Sequence, residues 1–204
     1  MPILRQRHST PLTAWKNGGG VTQELLAWPS AEDWCVRLSI ATIDKDGAFS
    51  ALPGVLRWFT VIEGLGINLT FETQKKTVRR GDGPLQFDGH QPCDAALLEG
   101  KVTAFNVMMR DTWAGHVELI QAPESVSFSG AGGASVPAVP VSAAPISSES
   151  YIGLFGVEHC TIELHRTELQ LEKHSLLWQP ITSPFSLVVH TGALIAVHAW
   201  PLHV

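Results

Sequence analysis

Apolar and polar residues alternate with a period of two along most of this chain, and that pattern limits its folds more than any other feature. Val36, Leu38 and Ile40 alternate with Arg37, Ser39 and Ala41, and Arg57, Phe59, Val61 and Glu63 with Trp58, Thr60 and Ile62. Ile67, Leu69 and Phe71 alternate with Asn68 and Thr70, and Val102, Ala104, Asn106 and Met108 with Thr103, Phe105, Val107 and Met109. Successive side chains of a strand point to opposite faces, so this period marks strands; a helix would repeat near 3.6. Turn signals separate the runs: Asp46-Gly47, Pro53-Gly54, Glu63-Gly64, Gly81-Asp82-Gly83-Pro84 and Asp88-Gly89. The pattern predicts an all-β protein of short antiparallel strands in sandwiches or barrels.

The 204 residues suffice for one large or two small domains. Ile67-Asn68-Leu69-Thr70 and Ile162-Glu163-Leu164-His165 match at an offset of 95 positions. Pro84-Leu85-Gln86-Phe87 and Leu176-Leu177-Trp178 follow them in the same order. The repeat predicts two similar units, 8–112 and 113–204. Residues 129–149, rich in Ser, Gly, Ala, Pro and Val, have too little bulk for a core and read as a long loop opening the second unit.

Charge and composition exclude several partners. The net charge of −5 has no basic block behind it, and phosphate-backbone binding needs a clustered basic surface, so no nucleic-acid partner is expected. No apolar run approaches the roughly 18–20 residues of a membrane span, and Met1–Lys16 lacks the apolar core of a signal peptide. Cys35, Cys93 and Cys160 are odd in number and form no Cys-x-x-Cys, which reads as reduced thiols in a cytoplasmic protein. A homodimer is compatible with the sequence.

Residues 15–24, Trp-Lys-Asn-Gly-Gly-Gly-Val-Thr-Gln-Glu, hold three consecutive glycines. Such a run belongs where backbone turns through positive φ or lies close against another group. Read alone, it is a tight loop between strands. Downstream stand Arg37-Leu38-Ser39-Ile40-Ala41, then Gly47-Ala48-Phe49-Ser50-Ala51-Leu52-Pro53-Gly54-Val55-Leu56-Arg57, Glu63-Gly64-Leu65-Gly66 and Phe105-Asn106-Val107-Met108. In that order the motifs resemble the HutD/Ves family over roughly residues 8–112; beyond them only hydrophobic pattern and length agree. The resemblance implies a bicupin, two antiparallel β-barrels or sandwiches packed together, and an association with bacterial histidine utilisation. The family usually has an acidic residue just before the Phe-Asn pair; Thr103-Ala104 stand there in this chain, and no role is carried to that position.

Familiar catalytic constellations are missing. Enzymatic cupins commonly hold a metal with His-x-His, a following Glu and a later His. The first half has only His8 and His90, and no His-x-His occurs anywhere, so no metal and no cofactor are expected. The second half has His159, His165, His174, His190, His198 and His203, with Glu163 and His165 spaced to share a strand face. Scattered histidines on strands are more often structural than ligating. No Gly-x-Ser-x-Gly elbow is present, and the triple glycine lacks the Gly-Lys-Ser/Thr of a phosphate loop.

A binding pocket remains. Arg37 and Ser39 share one strand face, and Arg57 begins an otherwise apolar one. A charge on an inward face is costly unless it meets a counter-charge. Arg37 and Arg57 either pair with Glu24, Glu63 or solvent at a rim, or await a carboxylate, whose geometry fits the guanidinium fork. The family motifs gather Asn17, Gly18, Gly19, Gly20, Glu24, Arg37, Ser39, Arg57, Phe105, Asn106 and Met108 as candidate ligand-binding residues, with Trp15 as a wall. The glycine N–H groups would approach a bound carboxylate. The expected function is metal-independent binding of a small anionic metabolite in an accessory or regulatory role. The resemblance suggests urocanate or N-formimino-L-glutamate. An enzyme using Glu24 or Glu63 as general base beside Arg57 is the alternative.

Overall fold

The computed structural model describes residues 1–128 and 150–202; the predicted loop at 129–149 and His203 lie outside the described residues. Among the described residues the regular structure is strand, apart from one 3-10 turn at Arg7–Ser9. The strands are β1 (Ile3–Gln6), β2 (Thr13–Ala14), β3 (Gly20–Trp28), β4 (Val36–Ile43), β5 (Gly47–Phe49), β6 (Val55–Glu63), β7 (Gly66–Thr70), β8 (Lys75–Arg79), β9 (Leu85–Asp88), β10 (Cys93–Leu97) and β11 (Val102–Arg110). There follow β12 (Trp113–Gln121), β13 (Glu124–Phe128), β14 (Tyr151–Gly156), β15 (Cys160–Leu164), β16 (Thr167–Leu171), β17 (Ser175–Pro180), β18 (Phe185–Thr191) and β19 (Ala193–Pro201).

The chain divides into two compact units, Arg7–Trp113 and Met1–Gln6 with Ala114–Val204. The first holds sheets β2-β3-β4-β11-β6-β9 and β5-β10-β7-β8; the second holds β1-β17-β14-β19-β12 and β13-β18-β15-β16. Adding eight to each strand number of β4-β11-β6-β9 and of β5-β10-β7-β8 reproduces the corresponding orders of the second unit. The short repeat read from sequence falls on strands in equivalent places, β7 with β15 and β9 with β17. None of the four sheets closes into a barrel. Sequence pattern placed residues 1–6 in no strand; Ile3–Gln6 form β1, antiparallel to β17 with Ile3 opposite Trp178 and Gln6 opposite Ser175.

Each unit has its own core, drawn from both of its sheets. In the first, Phe59, Val61 and Ala104 of one sheet pack with Ile67, Leu69 and Ala95 of the other. In the second, Ile152, Leu154 and Ala196 pack with Ile162, Leu187 and Val189. Burial of such surface is worth about 25 cal/mol per Å² and supplies most of the driving force.

Glu163 ends its strand run one residue before β15 stops, and His165 sits beyond it in the turn with φ 52°. The two do not share a strand face as the spacing predicted. Glu163 instead lies 4.0 Å from the His190 Nε2.

His198, in the centre of β19, is 2% exposed, and neither ring nitrogen has a hydrogen-bond partner among the described residues. Phe128 and Trp200 rings flank it, at 6.0 and 4.8 Å between centroids. Burial, with a smaller contribution from His116, lowers its pKa from 6.5 to about 4. Between those values the unfolded chain binds the extra proton, so stability is lost as pH falls through the window. The loss amounts to about 3 kcal/mol at pH 4. His198→Phe should flatten the denaturation-midpoint profile between pH 6.5 and 4; an unchanged slope would assign the acid sensitivity elsewhere.

Candidate ligand-binding cavity

A cavity of about 900 Å³ opens in the first unit, within the range of small-molecule sites. Its floor is one face of the six-stranded sheet. Antiparallel register builds that face in rows. Glu24 of β3 lies opposite Ser39 of β4, Ser39 opposite Asn106 of β11, and Asn106 opposite Phe59 of β6. In the next row Arg37 lies opposite Met108, Met108 opposite Arg57, and Arg57 opposite Phe87 of β9. Apart from Phe87, every residue of these two rows lines the cavity. Ala48 and Phe49 of β5, from the other sheet, form a facing wall, and Trp15, Lys16 and Asn17 add a side.

Phe105 differs from its expected place. It lies opposite Ile40 and Thr60, on the other face of the sheet, with no exposed surface. Period-two alternation requires this once Asn106 faces the cavity.

The glycines also play another part than expected. None of the three lines the cavity. The Gly18 N–H donates to the Trp15 carbonyl at 3.0 Å, and the Gly19 N–H to Asn17 Oδ1 at 3.0 Å. Two donors meant for a ligand are thus spent on the turn itself. Gly18 has φ 65°, and a Cβ on Gly20 would stand 2.3 Å from the Thr42 carbonyl oxygen. The run forms a sharp turn that presses β3 against β4, and Asn17 is its cavity-lining member.

The two arginines stand in different electrostatic states. Arg37 Nε lies 2.6 Å from Glu24 Oε2, with both side chains about one-third exposed. The contact is close but off-line: Nε makes no aligned hydrogen bond, so the pair is Coulombic in character. Arg57 is 7% exposed and has no carboxylate within ion-pair distance among the described residues. Among the described residues its Nε has no acceptor, and Nη1 reaches only the Ser50 carbonyl at 3.4 Å. The guanidinium carbon sits 5.3 Å from the Phe49 ring centre and 5.0 Å from that of Phe87. Burial lowers the Arg57 pKa to about 10, which still leaves it charged at neutral pH. The neighbouring Cys93 thiol is pushed up to about 11, mainly by burial, and stays protonated. Arg57 is a buried cation without a neutralising anion among the described residues.

Ser39 and Asn106, each 4% exposed, make no side-chain hydrogen bond among the described residues. Their polar atoms are not sealed from solvent but open into the cavity, where an occupant can reach them. Trp15 turns its Nε1–H to Thr22 Oγ1 at 2.7 Å and its ring edge-on to Phe49 at 6.3 Å. Glu63 does not line the cavity; it pairs with Arg7 at 3.7 Å. A bulge between Thr103 and Ala104 shifts the register beside it. Glu24 is therefore the single acid lining the cavity among the described residues.

Sequence reasoning missed Lys16, Phe49 and Ser50 as cavity residues. Lys16 sits inside the glycine motif, and Phe49-Ser50 inside the Gly47–Arg57 motif, so proximity to those motifs was the available signal. Among the described residues no three His, Cys, Asp or Glu side chains gather in a way that could hold a metal ion. No helix among them is long and apolar enough to cross a membrane.

Antiparallel sheets around a largely apolar cavity with a few polar groups and a buried cation define an all-β protein of cupin-like fold with a candidate small-molecule site. The HutD family profile matches residues 7–192, and the chain belongs to that family. HutD from Pseudomonas fluorescens SBW25 superimposes with a TM-score of 0.78 at 20% identity, covering 100% of both chains. Protein Ves of Escherichia fergusonii is 36% identical over 102 residues, 49% of this chain and 53% of that protein. A Pseudomonas putida relative, described as an uncharacterized 21.2 kDa protein in the hutC 3′ region, is 33% identical over 107 residues, 52% of this chain and 56% of that one. The chain thus spans about half the length of the curated relatives it matches.

Proposed function

We propose that the first unit binds a small carboxylate metabolite, without a metal, and serves an accessory or regulatory role in cytoplasmic histidine catabolism. The observation that carries this is Arg57: buried, charged and unneutralised on the cavity floor. An uncompensated buried cation is costly, and a carboxylate in the cavity would offset that cost with charge-assisted hydrogen bonds. The histidine association rests on family membership and on the hutC neighbourhood in the name of the Pseudomonas putida relative. Urocanate and N-formimino-L-glutamate are the ligands to try first. The matching strand orders support the finer reading of the architecture as a duplicated, bicupin arrangement.

Thermal-shift titration with these two metabolites, before and after exhaustive chelation, tests the proposal. A rise in melting temperature that survives chelation is expected; a rise abolished by chelation and restored by added metal would overturn the metal-independent part. Turnover of either compound, lost in Glu24→Gln with binding intact, would replace the accessory role by an enzymatic one.

A further inference from the structure

The matching strand orders place β8 and β16 at the same edge of equivalent sheets, and the two edges carry opposite charge. β8 and the residue after it bear Lys75, Lys76, Arg79 and Arg80, all exposed, in a chain whose net charge is −5. β16 and the residue after it bear Glu168 and Glu172, also exposed. Register sets Glu168 directly opposite Glu163 of β15, two like charges within one sheet. Such a pair is unfavourable and gains from a cation brought alongside. The His190 Nε2 stands 4.0 Å from Glu163 but supplies charge only when protonated.

Both strands end their sheets, and in an antiparallel ladder alternate residues turn N–H and C=O away from the partner strand. The Arg79 N–H donates to Asp82 Oδ2 at 2.7 Å, so Lys75, Thr77 and Arg79 are the outward set of β8. His165 and Arg166, both at positive φ, form the two-residue turn between β15 and β16. Such a turn closes on a bonded pair, here Leu164 with Thr167, which leaves Glu168 and Gln170 outward on β16.

We infer that β8 of one copy of this chain pairs, antiparallel, with β16 of a second copy. Setting Thr77 opposite Gln170 puts Arg79 opposite Glu168 and Lys75 opposite Glu172. The flanks agree: Asp82 falls beside Arg166, and Glu72 near Lys173. A parallel pairing with Lys75 opposite Glu168 would bring Arg80 opposite Lys173, so charge selects the direction. Lysines on an edge strand discourage pairing with a like edge; here they keep β8 from β8 and admit β16. The contact is heterologous, so it either closes two copies on each other or continues along a row of them. Glu172 Oε2 already accepts from Gln6 Nε2 at 2.7 Å, which makes Arg79 with Glu168 the pair to test.

Sedimentation velocity over a range of protein concentrations reads the contact. Wild-type protein should associate reversibly, and less strongly at about 1 M sodium chloride. Arg79→Glu and Glu168→Arg each set like charges across the pairing; each alone should weaken association roughly ten-fold or more and leave melting unchanged. Mixed in equal amounts, the two variants restore opposite charges in trans and should associate as the wild type does. The double variant Arg79→Glu/Glu168→Arg should do the same by itself. Should a reversal lower the melting temperature, the neutral Arg79→Gln and Glu168→Gln decide instead, each expected to weaken association about three-fold or more. A wild-type chain that stays monomeric at millimolar concentration would overturn the inference. So would association that neither variant weakens, or that mixing the two reversals does not restore.

Discussion

Arg57→Ala is expected to weaken a carboxylate ligand ten- to hundred-fold while the protein stays folded. Charge-assisted hydrogen bonds from a desolvated guanidinium contribute about 1.5–3 kcal/mol, and each 1.4 kcal/mol is a factor of ten in affinity. The fold should tolerate the change because Arg57 gives up only one long hydrogen bond, to the Ser50 carbonyl at 3.4 Å, and its contacts with the Phe49 and Phe87 rings, while a buried charge is relieved. Arg57→Lys should recover only part of the binding, since an ammonium keeps the charge without the planar fork. Titration calorimetry reads the affinity and thermal melting reads the fold. Undiminished affinity in a folded Arg57→Ala protein would remove Arg57 from the site, and with it the strongest support for an anionic ligand.

The three glycines should respond to alanine very unequally. At Gly20 a methyl group would stand 2.3 Å from the Thr42 carbonyl oxygen, backbone against backbone inside a paired ladder. Overpacking of that kind costs about 3 kcal/mol or more, so Gly20→Ala should unfold readily or open the pairing between β3 and β4. Gly18 faces open space, but its φ of 65° charges an alanine about 1–2 kcal/mol in strain. At Gly19 the φ is ordinary and the nearest atom is Asn17 Oδ1 at 3.3 Å, a side chain free to shift; that substitution should be within about 0.5 kcal/mol of neutral. Denaturant midpoints for the three single variants give the order directly. Equal losses at all three positions would mean that the run acts through backbone freedom alone and not through contact with β4.

What could be read from the chain beforehand follows from which forces are local. Alternation is local, so Arg37 with Ser39, and Asn106 with Met108, could be paired on strand faces before any coordinates existed, and both pairs line the cavity. The same rule already separated Phe105 from Asn106; family proximity kept it in the candidate set, and the sheet places it on the far side. The fate of Glu63 was hidden, because the bulge beside it depends on pairing with a strand forty residues later in the chain. Ion-pair choice was hidden too: spacing allowed either arginine to meet Glu24, and only the adjacency of β3 and β4 gives it to Arg37. The glycine motif drew attention for its lack of side chains, yet its role is set by a carbonyl on the neighbouring strand.

The pairing of β1 with β17 has a consequence in time. All strands that build the cavity, from β2 to β11, come from one uninterrupted stretch of chain, Arg7–Trp113. The second unit is stitched from two separated pieces, and Ile3 meets Trp178. On a ribosome adding roughly 5–20 residues per second, Ile3–Gln6 therefore waits about 10–35 s for its partner strand to be made. Through that interval the cavity-bearing unit can reach its native pairing while the leading segment hangs unpaired, a short stretch with Leu4 and Arg5 and little to collapse upon. Order of synthesis and order of assembly run in opposite directions for this one strand: β1 is made ahead of the cavity-bearing stretch and paired only after it, and nascent chains stalled between Trp113 and Ser175 should display the cavity with β1 still open to protease.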